Sequence, residues 1–464
     1  MDQIANYLER LPSLPPLSRA LPGDLVGSLP GEAPERGEGI EAILADVDRL
    51  LLPGITHWGH PSFFAYFTSS GSAAGILGEM LTAGFNVNAM LWRTSPAATE
   101  LELVVCRWLA RMIGLPDAFD GHINDTASAS TLVALAAARE ALDLDIRQRG
   151  LPGRPELPQI LVYASEQAHS SVEKAVVTLG LGRDGFRAVP TDGEYRLDVA
   201  ALRRLISDDL ARGLRPAAVV ATVGTTASTS IDPVPQVAEL CREYHLWLHV
   251  DAAHGGAMAV VPEWRGVLAG SERADSLVIN PHKWLFTPLD CSVLFTSRPE
   301  VLRRAFSLVP EYLTTPEADR ESGPGARNLM DYGVSLGRRM RALKLWFVLR
   351  HYGSAGLAQR VRQHVGMAHW LRGRIAITPG WELCAPVPMA TVCFRHRPGG
   401  RPSEAELEAH NRAVMAAVNS SGLAFISHAV LDGRFVLRAS IGGIRTSPDD
   451  VARLWGALQE AAES

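Results

Sequence analysis

At 464 residues, with 47% apolar and 20% charged side chains, the chain has room for more than one domain and is too apolar to be disordered. A formal charge of −5 without a basic stripe argues against a nucleic-acid partner, and the apolar runs, such as residues 131–138, fall well short of the ~20 residues of a membrane span. Asp2 near the start, no basic-then-apolar leader and five scattered cysteines without a CxxC pair point to a cytoplasmic protein with reduced thiols.

Residues 11–36 carry Pro12, Pro15, Pro16, Pro22, Pro30 and Pro34, which predicts an extended arm with little helix. Helical periodicity starts near Glu38 and stops at Pro53-Gly54. The aromatic stretch from Trp58 to Phe67 would make a large apolar patch on a monomer, so it meets another chain or lines a pocket, the first indication of a dimer. Ser95-Pro96 opens a helix in which Leu101, Val104, Val105, Trp108, Leu109 and Met112 recur at three- and four-residue steps up to Gly114.

From about residue 120, strands at 159–164, 217–223, 246–251, 276–280 and 292–296 alternate with helices such as 166–179 and 233–244. This alternation predicts an α/β fold with a mostly parallel central sheet, helices on both faces and ligands at the carboxyl ends of the strands. Residues 308–330 read as a loop, either a functional lid or a disordered segment. A helix at 338–351 and strands at 381–383, 391–395, 424–427 and 435–439 then predict a smaller α+β domain. The expected division is an N-terminal arm (1–92), a large α/β domain (93–335) and a small C-terminal domain (336–464).

Two predicted strand ends carry the chemistry. The run 276–279 spills into Asn280-Pro281-His282-Lys283-Trp284. Burial disfavours the charged form of a lysine there, and a neutral amine attacks aldehydes. On its own, a lysine that reaches out to solvent is the simpler reading. Upstream, the run 246–250 ends in Asp251, followed by Ala252-Ala253-His254-Gly255-Gly256. One loop-and-helix crossover separates the two ends, so both can meet at one edge of a parallel sheet. An amine and a carboxylate so placed are the two protein groups that pyridoxal phosphate needs, the second to pair with its ring nitrogen.

Thr126, Ala127 and Ser128 run straight into a helix, where hydroxyls, free N–H groups and the helix dipole suit a phosphate; ordinary capping is the competing reading. Asp125 opposes a phosphate unless it turns away. Thr226 ends another strand within reach of the same edge, and His169 offers an imidazole for stacking on a ligand ring. His249, Asp251, His254 and His282 have metal-ligand spacing, which keeps a metal-dependent hydrolase as a rival. Gly333-Val334-Ser335-Leu336-Gly337 matches the GxSxG elbow but lacks the buried strand that motif requires.

The blocks His60-Pro61-Ser62-Phe63-Phe64-Ala65-Tyr66-Phe67, Ser95-Pro96-Ala97, Thr99-Glu100-Leu101-Glu102, Gln167-Ala168-His169-Ser170-Ser171, His249-Val250-Asp251-Ala252-Ala253, Asn280-Pro281-His282-Lys283-Trp284 and Leu336-Gly337-Arg338-Arg339 occur in one order from about Gly54 onward. Together they resemble the pyridoxal-phosphate-dependent group II amino acid decarboxylases, particularly the aromatic-L-amino-acid decarboxylases. The resemblance implies a fold-type I, aspartate aminotransferase-like homodimer with active sites at the interface and an arm embracing the partner. It implies Lys283 as the Schiff-base lysine, Asp251 as the partner of the ring nitrogen, and His169 and Ala253 against the two ring faces. Thr126, Ala127 and Ser128 match the phosphate loop, Asn280 and His282 flank the phosphate, and Ser69 and Thr226 match other cofactor contacts.

Tyr312 matches the tyrosine that protonates the substrate carbon, and its presence favours plain decarboxylation over oxidative aldehyde formation. Asp125 and Ala129 depart from the animal enzymes around the phosphate loop, as do Asn88 and Met90 in the substrate pocket. Trp58, Tyr66, Phe67 and Trp92 keep that pocket aromatic, and no arginine is obviously placed for a side-chain carboxylate. The expected substrate is therefore an aromatic L-amino acid (tryptophan, tyrosine, phenylalanine or dihydroxyphenylalanine) rather than glutamate. An aldehyde synthase of the same family is the nearest alternative.

Overall fold

Two sheets organise the chain in the computed structural model, which describes residues 2–308 and 326–463. The large sheet contains β1 (Asp120–Asn124), β2 (Ile160–Ser165), β3 (Phe186–Val189), β4 (Arg215–Thr222), β5 (Trp247–Asp251), β6 (Ser276–Ile279) and β7 (Ser292–Thr296). Their spatial order is β1-β7-β6-β5-β4-β2-β3; β7 runs antiparallel to both neighbours and every other pair is parallel. β2, β5, β6 and β7 are buried at every residue, which explains why they read as continuous apolar runs rather than alternating ones. One apolar cluster fills each face of this sheet.

The small sheet is antiparallel, in the order β10 (Ser427–Leu431), β11 (Arg434–Ser440), β9 (Thr391–His396) and β8 (Trp381–Leu383). Helices Glu404–Ser421 and Pro448–Glu463 accompany it. The first carries a reciprocal capping box between Ser403 and Glu406 and ends at Gly422, whose φ of 79° suits only glycine well. The long helix Ala342–Ile377, interrupted at Gly353, lies against helix Ala73–Phe85. Gly78 permits that approach: a Cβ there would lie 2.7 Å from Lys344 Cα.

Several elements differ from the sequence expectations, the helix expected at 338–351 spanning Ala342–Ile377. The helix expected at 166–179 begins only at Ser171, because Ser165 Oγ takes the Gln167 N–H and holds a turn there. The strand expected at 424–427 lies at Ser427–Leu431, its register fixed by an Asp432-Gly433 turn with φ values of 50° and 72°, as a tight hairpin demands. β1 went unpredicted because Asp120-Gly121-His122-Ile123-Asn124 has no apolar run; it is held at the sheet edge through β7. Among the described residues, no helix is long and apolar enough to cross a membrane.

Four buried histidines are held neutral by the fold. Burial lowers the imidazole pKa of His122 and His282 to about 3, and that of His249 and His364 to about 4. The unfolded chain takes up these protons below about 6.5 whereas the native state does not, so their contribution is complete above that pH and declines as pH falls towards 4. Each costs about 1.4 kcal/mol per pH unit in that window. Urea unfolding should therefore give a clearly lower midpoint at pH 5 than at pH 7, with a shallower dependence in His364→Gln; equal midpoints would contradict this.

Candidate active site

The register of the parallel strands aligns Thr222 with Asp251 and Asp251 with Val278, so β4, β5 and β6 end together. β6 then turns at Pro281 into a single helical turn, Pro281–Trp284, fixed by the Lys283 N–H to Asn280 carbonyl bond of 3.0 Å. Lys283 and Asp251 thereby open into one cavity of 160 Å³. Burial pushes the Lys283 amine below the usual ammonium range; the Arg438 charge adds to this and the Asp251 carboxylate opposes it. Asp251 is 5% exposed, and its Oδ1 accepts the Ala253 N–H at 3.1 Å.

The residues expected at the phosphate end converge on the same cavity. Helix Ala127–Glu140 starts at Thr126 without a side-chain cap, and Thr126, Ala127 and Ser128 line the cavity. Free N–H groups and the positive end of the helix dipole therefore face it. Asp125 Oδ1 accepts the Thr126 N–H at 2.5 Å, so this carboxylate is engaged with its neighbour's backbone. Asn280, His282 and Thr226 also line the cavity. Cys291 N–H donates to His282 Nδ1 at 2.9 Å, and Asn280 Nδ2 lies 3.2 Å from His282 Nε2.

His169 and Ala253 line the cavity as well. Burial holds the His169 imidazole below its usual pKa, and the Ser171 N–H donates to its Nδ1 at 3.1 Å, which puts the neutral ring's proton on Nε2. Thr222, unpredicted, adds a buried hydroxyl with no partner. Gly224 is needed where two turns close on each other: its φ is 89°, and a Cβ would lie 3.1 Å from Gly255 N.

Of the residues expected to contact substrate, Phe67 lines the cavity. Trp58 and Tyr66 stack on one another at 5.8 Å and are half exposed, beside Phe63 and Phe425. Asn88 and Met90 do not line the cavity: Asn88 Oδ1 accepts the Arg338 N–H, and Met90 O accepts the Met330 N–H, which ties both to the 328–340 segment. Ser69 is half-buried outside the cavity wall, and Tyr312 lies outside the described residues.

Sequence reasoning missed Arg438. It lies on β11, is 3% exposed, donates to Tyr66 O at 2.6 Å and to Ala227 O at 3.0 Å, and leaves Nη2 without a partner. Its guanidinium sits 4.6 Å from the centre of the Phe67 ring, and burial lowers its pKa to about 10. The signal was a charge inside the apolar run Phe435-Val436-Leu437-Arg438-Ala439. Two rival motifs also have their positions. His249 Nδ1 lies 2.9 Å from Ser276 Oγ, inside the sheet, and among the described residues no three metal-ligating side chains gather. The GxSxG match follows a 3₁₀ turn, Leu329–Tyr332, rather than a strand.

An amine, a carboxylate deep in the same cavity, an uncapped helix start and flanking hydroxyls form a donor set that fits pyridoxal phosphate at its aldehyde, ring nitrogen and phosphate. Residues 22–397 match the pyridoxal-dependent decarboxylase conserved domain. The chain is 41% identical to tyrosine decarboxylase 4 of Petroselinum crispum, over all of this chain and 92% of that protein. Its fold superposes on the crystal structure of Oryza sativa TDC with PLP and tryptamine with a TM-score of 0.95 and 36% identity, covering 100% of this chain and 96% of the other. Rhodiola rosea 4-hydroxyphenylacetaldehyde synthase gives a TM-score of 0.91 and 35% identity, with coverage of 100% and 96%. The chain belongs to the pyridoxal-dependent decarboxylase family.

Proposed function

We propose that the chain is a decarboxylase that converts an aromatic L-amino acid into its amine and carbon dioxide. The observation that carries the reading is that Lys283, Asp251 and the start of helix Ala127–Glu140 open into one cavity with Phe67. When bound, pyridoxal phosphate supplies the electron-accepting ring that lets the substrate carboxylate depart as carbon dioxide.

The chain's own residues divide the work. Lys283 Nζ, favoured in its neutral form by burial, would hold the cofactor through its aldehyde group. Asp251 holds a proton on the ring nitrogen. Thr126, Ala127 and Ser128 bind the phosphate, Asn280 and His282 support them, and Thr226 completes the cofactor contacts. His169 and Ala253 bracket the ring. The partnerless Nη2 of Arg438 orients the substrate carboxylate, and Phe67, Tyr66 and Trp58 receive the aromatic side chain. Tyr312 delivers the proton to Cα.

A second copy of the chain completes the assembly. Leu21, Val26 and Ile40 of the N-terminal segment are 70%, 80% and 61% exposed in the single chain, an apolar face that supports burial against a partner. In that arrangement Asn88 and Met90 serve the partner's substrate pocket. We assign residues 1–92 to the dimerising arm, 93–335 to the cofactor domain and 336–464 to the small domain.

The aldehyde-synthase reading is favoured by the close structural likeness to Rhodiola rosea 4-hydroxyphenylacetaldehyde synthase. Tyr312 separates the two. Purified enzyme should release carbon dioxide from at least one aromatic amino acid far faster than from glutamate; the reverse order would refute the substrate assignment. Tyr312→Phe should lose about a hundredfold or more in amine formation while oxygen uptake and peroxide rise. Unchanged amine yield with no peroxide would remove Tyr312 from the mechanism.

A further inference from the structure

Three rings, those of Phe67, His254 and Trp284, lie parallel in a column that leads from the cavity into the protein, and His364 meets the edge of the last. The Phe67 and His254 centroids are 3.7 Å apart with planes 12° from parallel. His254 and Trp284 follow at 5.0 Å and 4°, and Trp284 and His364 at 6.4 Å and 15°. The inner end is bolted down: Trp284 Nε1–H donates to His364 Nδ1 at 2.9 Å, and His364 Nε2–H donates to Gly443 O at 3.1 Å. Trp284 is 1% exposed and His364 2% exposed. Phe67, the partly exposed outer ring, faces Arg438 and Lys283, whose charged groups lie 4.6 and 5.3 Å from its centre.

His254 has a different standing in this column. It is 5% exposed, and neither ring nitrogen has a hydrogen-bond partner. The ring lines the same cavity as Phe67, and towards the rest of the protein it contributes packing rather than hydrogen bonds. What it provides is a flat plate of fixed thickness between a locked indole and the ring that meets the substrate.

We infer that His254 is a specificity-determining positioning residue that sets the depth of the substrate pocket by backing Phe67. The inference rests on the aromatic-substrate reading above. Removing the imidazole leaves a slot between Trp284 and Phe67, into which Phe67 can settle, and the pocket gains room for a larger ring. A change of about one small group in an apolar pocket is worth roughly tenfold in discrimination.

The test compares kcat/KM for tryptophan and tyrosine in the unsubstituted enzyme, His254→Ala and His254→Phe, each loaded with cofactor, alongside the Kd values of tryptamine and tyramine. In His254→Ala the tryptophan-to-tyrosine ratio should rise about tenfold, mainly through KM, with the amine Kd ratio moving in the same direction. His254→Phe should bring both ratios back to within about twofold of the starting values. A loss shared equally by both substrates, or ratios unchanged within twofold, overturns the inference and leaves the aromatic-substrate reading intact. Failure of the unsubstituted enzyme to act on any aromatic amino acid overturns both. Should His254→Ala not fold, His254→Asn, which also shortens the plate, is read by the same criteria.

Discussion

The structure depends on placing an amine and a carboxylate at the ends of two adjacent buried strands. A lone ammonium in that interior would be strongly disfavoured, and a lone carboxylate equally so. Lys283 and Asp251 relieve each other only in part, because Arg438 pulls against the pair. Burial and the Arg438 charge favour the neutral amine, and the Asp251 carboxylate opposes them. The in-register ends of β4, β5 and β6 make this geometry a property of the sheet rather than of a loop.

The small sheet nevertheless secures one wall of the cavity, the segment that carries Phe67. Phe64 donates its N–H to Phe425 O and accepts the Ser440 N–H, which fastens the segment leading to Phe67 onto the small domain. Arg438 comes from β11 of the same small sheet, and Gly443, just beyond it, receives the His364 bond that anchors Trp284. The large sheet therefore positions Lys283 and Asp251, and the small sheet holds Arg438 and the segment that carries Phe67. The two meet at Phe67, where a ring tied to one sheet lies 5.3 Å from the lysine of the other.

Much of this was legible in the sequence for a physical reason. Strands buried on both faces must be apolar throughout, so a charged residue at the end of such a run stands out, as Asp251 and Lys283 do. Thr126, Ala127 and Ser128 were legible because small and hydroxyl residues run straight into a helix, a placement that suits a phosphate as well as a cap. Arg438 escaped because its meaning depends on Phe67 and Tyr66, far away in the chain. β1 escaped because its place at the edge is set by pairing with β7 rather than by its own residues. The position of Asn88 and Met90 follows from packing against the 328–340 segment, which no local pattern encodes.

The most direct measurement uses the chemistry of the lysine itself. The chain has only three lysines, Lys174, Lys283 and Lys344. Lys344 is engaged by Glu79 at 2.8 Å, and Lys174 lies on a helix away from the cavity wall. Borohydride treatment of the cofactor-loaded protein, followed by peptide mapping, should place the pyridoxyl group on Lys283 and on neither of the others. A label on Lys174 or Lys344, or a protein that takes up no label, would contradict the account.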